Sequence, residues 1–171
     1  MKNEVYLPGF MQGSSQYKAE IAMANQYGKA AIMAARQGPS DSPDPKVRWD
    51  AAMKKLSTSK SSQKKTCPKD AFLGLCDVGL VKGVHQGNYT ESINNKEYAI
   101  RAVELLENKG AQFSSRSALW RAVMNGDEKS ENGQMGVVLA LWDNDLIVRR
   151  VARMSRKSDL PAAGDAPLAK P

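Results

Sequence analysis

The segment SSQKKTCPKDAFLGLCDVGL, residues 61–80, sets a cluster of lysines against an apolar helical pattern. Lys60, Lys64, Lys65 and Lys69 lie before or within the first turn of a helix opened by Thr66 or Cys67 ahead of Pro68. Main-chain amides at a helix start lack intrahelical acceptors and sit at the positive end of the dipole, so lysines there are unfavourable unless an anion joins them. Ser61, Ser62, Gln63 and Thr66 add neutral donors. A second cationic run, VRRVARMSRK at 148–157, supplies Arg149, Arg150 and Arg153. The chemistry these side chains suit is anion binding, of phosphates above all. The competing reading is a solvated lysine loop and a basic tail.

Residues for bond-breaking chemistry are sparse. Cys67 and Cys76 are the only cysteines and His85 the only histidine, too few for a zinc site. A disulfide between the two cysteines would fold a helix onto its own entrance, so both are read as thiols of an intracellular protein. His85 has no nucleophile or acid at a spacing that identifies a partner. Asp77 and Asp143 occupy matching places near helix C-termini, where the dipole disfavours a carboxylate. They are read as hydrogen-bonding the following turn or pairing with a basic neighbour, rather than as a catalytic pair. The expectation is no catalytic residue, no metal and no cofactor. The opening MKNEVYLPGFMQGSS has no continuous apolar core of a secretion signal, and no run approaches the ~20 apolar residues of a membrane span. A cytoplasmic protein with no membrane contact is expected.

The elements that position these residues read as two similar sets of three helices. YGKAAIMAARQG from Tyr27 matches YAIRAVELLENKG from Tyr98, and Trp49 and Trp120 each follow their tyrosine by 22 residues. AFLGLCDVGLV (71–81) then aligns with VVLALWDNDLI (137–147). Apolar positions recur at helical spacing in all of them. The predicted fold is mostly α, two tandem three-helix repeats packed as one domain. A third helix entered by a turn is compatible with helix-turn-helix geometry, and at most a short β ribbon forms from LVKGV and LIVRRV.

The expected organisation is an N-terminal segment 1–14, a first repeat 15–84, a linker and second repeat 85–157, and a disordered Pro/Ala-rich tail 158–171. The first helix is expected to run from near Ser15 through Tyr27. Expected caps are Asn94 with Glu97, Asp44 with Pro45, Ser117 and Asn132. Trp49, Trp120 and Trp142 are expected in the core, and Tyr89 is expected to pin the linker.

A net charge of +7 favours an acidic partner. The charge is uneven: residues 46–82 hold nine basic and three acidic side chains, whereas 83–147 hold six and nine. The strings SSQKKTCPKDAFLGLCDVGLVKGV, GNYTESINNKEYAIRAVELL and QMGVVLALWDNDLI together resemble an uncharacterised family of small bacterial and phage proteins, over roughly 27–147. The resemblance implies one folded unit and transfers no activity. The functional expectation is non-catalytic nucleic-acid binding through Lys60, Lys64, Lys65, Lys69, Arg149, Arg150 and Arg153. The alternative is an interaction or inhibitor protein that blocks a nucleic-acid-binding partner. An unrecognised hydrolase ranks last, for want of a nucleophile or metal constellation.

Overall fold

The computed structural model describes residues 25–37, 44–109, 113 and 115–149. These residues are mostly helical: α1 Gln26–Arg36, α2 Pro45–Leu56, α3 Lys60–Gln63, α4 Thr66–Asp77, α5 Ile93–Lys109, α6 Arg116–Met124 and α7 Gln134–Asp143. The N-terminal segment, the basic stretch after Arg149 and the tail lie outside the described residues.

Local sequence explains most of the boundaries. Asp44 accepts from the Lys46 N–H at 2.8 Å, and Pro45 opens α2 as expected. Asn25 is extended and accepts from the Gly28 N–H at 2.8 Å, so α1 starts there. The helix expected from near Ser15 through Tyr27 therefore does not run through Asn25, and residues 15–24 lie outside the described residues. A local carboxamide–amide bond wins over an alanine-rich pattern that looks continuous.

Three other caps differ from expectation. Ser115, not Ser117, caps α6 by accepting from the Ala118 N–H. Asn94 is inside α5, so it cannot cap it. Asn132 does not cap α7. Glu131 accepts from the N–H groups of Gly133 and Met135 at 2.8 and 3.0 Å, while Gly133 takes a left-handed conformation that suits glycine.

Burial follows the apolar faces. Trp49 is fully buried and stacks on Phe72 with centroids 5.4 Å apart. Trp120 is buried and meets Tyr98 edge-on at 5.4 Å. Trp142, expected in the core, is half-buried and carries the Arg149 guanidinium 4.5 Å from its ring centroid.

Helices α4 and α7 pack on each other at the centre of the fold. Helix α1 packs on α2 and α7, and α5 packs on α6 and α4. Both central helices end in the same way. Leu80 N–H reaches Leu75 O at 2.9 Å, and Leu146 N–H reaches Leu141 O at 2.8 Å. Gly79 and Asp145 supply the left-handed turn residues, at φ 68° and 54°. The chain then forms one antiparallel bridge, Val81 with Ile147, which is what the expected ribbon amounts to. Lys82 N donates to Leu146 O and Val148 N to Leu80 O, both at 2.8 Å.

The α4–α5 crossing is close because Gly74 has no side chain. A Cβ at position 74 would stand 2.7 Å from the Lys96 Cα. Gly74→Ala should therefore destabilise the protein by about 1–3 kcal/mol, through overpacking against backbone. An exposed helical site would show the opposite sign, a gain of up to about 1 kcal/mol. Urea denaturation distinguishes the two. Trp49→Ala should cost about 3–5 kcal/mol, the range for a buried aromatic truncation. The same titration checks it, and a loss under about 1 kcal/mol would mean the indole is not packed.

Candidate functional site

The lysine segment is partly helical rather than a plain loop. Ser59 caps the single turn α3 by accepting from the Ser62 N–H, and Gln63 Nε2 donates back to Ser57 O at 2.6 Å. These local bonds fold residues 57–65 into a compact bend beside α2. The result is a cleft of about 320 Å³ lined by Asp50, Met53, Lys54, Gln63, Lys64, Thr66 and Lys69.

The expected binding residues divide within this geometry. Lys60, Lys64 and Lys65 are exposed. Lys69 is tied to Asp50 at 2.7 Å, so its charge is already paired. Lys65 lies over the Tyr27 ring, 5.7 Å from its centroid. It precedes α4, whose start has no side-chain cap. Arg149 is elsewhere. It follows the Val81–Ile147 bridge beyond the C-terminal end of α4, whereas Lys60, Lys64 and Lys65 precede the N-terminal end of that helix. Arg150 and Arg153 lie outside the described residues. Lys54, on α2, joins the cleft from a separate element. Its sequence distance from the cluster hid it, although its place on the polar face of an amphipathic helix was visible.

Helix α4 is buried from Ala71 to Asp77, so it offers no face to a nucleic-acid groove. Its last residue explains the position of the carboxylate. Asp77 is buried, accepts the Tyr89 N–H, and pairs with Lys96 Nζ at 3.1 Å. Tyr89 Oη donates to His85 O at 3.1 Å, pinning the linker as expected. His85 itself is exposed. Asp143, its counterpart in the alignment, is exposed.

Sequence reasoning missed a second cleft. A cleft of about 370 Å³ is lined by Ser92, Asn94, Asn95, Tyr98, Trp120, Lys129, Ser130, Asn132 and Gln134, drawn from α5 and the residue before it, α6, the loop before α7 and its first residue. Gln134 is 3% exposed, which is unusual for a polar side chain. It donates to Asn95 Oδ1 at 3.0 Å and accepts the Asn132 main-chain N–H at 2.7 Å. Trp120 Nε1 donates to Lys129 O at 2.6 Å, which fixes the loop. Lys129 Nζ donates to Tyr98 Oη at 2.9 Å, and that bond raises the ammonium above its ordinary range. Four carboxamides in one cleft could be counted in the sequence, but not their convergence.

Among the described residues, no group of three or more His, Cys, Asp or Glu could hold a metal ion. No helix among them is long and apolar enough to cross a membrane.

The architecture defines a mostly helical protein whose polar clefts include one that is cationic and one rich in carboxamides. The chain belongs to a family of unknown function, DUF6979, which matches residues 24–148. No curated protein matches it, and neither does any solved structure.

The two thiols differ in environment. Burial, reinforced by the neighbouring Asp77 carboxylate, pushes the Cys76 thiol far above its ordinary range. Cys67 is half-buried at the start of α4. Iodoacetamide at mildly alkaline pH should therefore alkylate Cys67 in the native protein and spare Cys76, with both labelled in denaturant. Mass spectrometry of the digested protein reads the ratio. Native labelling of Cys76 at a rate comparable to Cys67 would contradict this burial.

Proposed function

We propose that this protein binds nucleic acid without catalysis, through phosphate contacts from the lysine cleft of its first half. One observation carries the reading. Lys54 and Lys64 converge on the cleft while its only acidic lining residue, Asp50, is already bonded to Lys69. Neither Lys54 nor Lys64 has a carboxylate partner among the described residues. Lys60 and Lys65 extend the same cationic surface. A phosphate backbone matches such a surface, because its repeating charge engages several lysines at once and releases condensed counterions. Arg149 forms a separate auxiliary contact in this reading, since it lies past the opposite end of α4 from the lysines, and Arg150 and Arg153 lie outside the described residues.

The reading includes two coarser features. The first is a duplicated three-helix unit. The turn hydrogen bonds ending α4 and α7 recur at a constant offset, and the bridge joins equivalent residues, Val81 and Ile147. The first helix of each unit packs on the third helix of the other. The second is a cytoplasmic location, which suits free thiols and a nucleic-acid partner.

Replacing Lys64 and Lys65 by Ala should flatten the log–log salt dependence of duplex binding by about one to two units, at about 0.9 per phosphate contact. Stability should change by less than about 0.5 kcal/mol, as for solvated surface positions. Titration of a mixed-sequence duplex and a single strand across salt reads the slope. No binding by the wild type at low salt would sink the proposal and leave the protein-partner alternative.

A further inference from the structure

The carboxamide cleft of the second half has a hydrogen-bond polarity that can be read from one end to the other. A main-chain N–H can only donate, so the bond from Asn132 fixes Gln134 Oε1 as an acceptor. The Gln134 amide nitrogen therefore faces Asn95 Oδ1, at 3.0 Å. Asn95 Nδ2 in turn donates to Ser92 Oγ at 2.9 Å. Every amide in this chain is oriented by the one before it, and the Ser92 hydroxyl proton is left at the end. The same argument applies across the cleft. An ammonium can only donate, so Tyr98 Oη accepts from Lys129 and keeps its own proton for another partner.

These residues keep several unused donors, besides the second lone pair that each hydroxyl or amide oxygen retains. Ser92 and Tyr98 each retain a hydroxyl donor. Asn95 and Gln134 each retain a second amide N–H, and Lys129 retains ammonium hydrogens. Lys129 is the only charged residue lining the space. The nearby Glu131 carboxylate does not line it, and one of its oxygens accepts both amides at the start of α7; Asp127 and Glu128 line the adjoining surface that Lys129 also borders. Gln134 is almost fully buried and bonded on both amide atoms, so it fixes the wall of the cleft, while Ser92, Asn95 and Tyr98 are half-buried and Lys129 is exposed at its edge.

We propose that this cleft binds a small molecule through an anionic oxygen group, a phosphate ester or a carboxylate, held by Ser92, Asn95, Tyr98, Lys129 and Gln134. Its volume of about 370 Å³ suits a small metabolite rather than a polymer. The site is distinct from the lysine cleft. It involves none of the same residues and does not depend on nucleic-acid binding.

Two anions tested on the full chain separate the possible ligand sources. Inorganic phosphate and acetate are titrated separately in chloride buffer, followed by calorimetry and tryptophan fluorescence. At least one should bind saturably at one site per chain. Binding of phosphate alone would point to a phosphate ester, and of acetate alone to a carboxylate. Ser92→Ala and Tyr98→Phe should each weaken the bound anion about tenfold or more, as expected for lost bonds to a charged group. Lys129→Gln, which removes the charge but keeps a donor, should weaken it comparably and serves if either hydroxyl variant folds poorly. The Lys64→Ala, Lys65→Ala protein should bind as wild type does, which separates this cleft from the lysines. The proposal is overturned if neither anion binds more tightly than chloride. It is equally overturned if all three cleft variants bind as tightly as wild type.

Discussion

The buried carboxylate of Asp77 is the contact on which the rest of the structure turns. It sits at the C-terminal end of α4, where the helix dipole opposes a negative charge. Two donors offset that cost, the Tyr89 N–H from the linker and the Lys96 ammonium from α5. One side chain thereby ties the central helix to the segment joining the two halves and to the helix that follows. Gly74 makes the geometry possible, because Lys96 passes where any larger residue on α4 would put its Cβ. Burying a paired charge adds little net stability in general, so the gain here lies in fixing which helix lies against α4 and at what height.

Under the proposed duplication the two halves share a plan and differ in chemistry. In the first, the segment before the central helix carries Lys60, Lys64 and Lys65 and opens onto a cationic cleft. In the second, the corresponding segment is Asp127 to Asn132, shorter and more acidic, and its main chain is fixed by Trp120 and capped by Glu131. The two tryptophans differ in the same way. Trp120 spends its indole N–H on that loop, whereas Trp49 Nε1 is buried with no partner among the described residues. One segment thus presents exposed lysines while the other is part of a hydrogen-bonded wall.

Much of the framework was legible in the sequence because it rests on local rules. Asp44 with Pro45, the opening of α4 before Pro68, and the buried faces around Trp49 and Trp120 each follow from capping, proline geometry or periodicity. The departures have a common cause. Asn25, Ser115 and Glu131 cap helices through side-chain bonds that compete closely with neighbouring alternatives, so composition alone could not rank them. The carboxamide cleft was illegible for a different reason. Residues 92–98, Trp120 and 129–134 meet only after α5, α6 and α7 have packed, and no spacing rule links them. Arg149 shows the converse: charge clustering along the chain suggested a single surface, but the bridge after α7 carries it to the opposite end of α4.

The crossed packing of the helices also fixes the order in which a nascent chain can mature. Helix α1 rests on α7, and α4 rests on α5, so neither half encloses its own core. During synthesis the first half leaves the ribosome with its alanine face uncovered, and it waits for a helix more than a hundred residues downstream of Asn25. Closure arrives with Ile147 joining Val81, near the end of the described chain. A core built this way is completed only by its last helix, and truncated translation products would expose the apolar faces that the completed fold conceals.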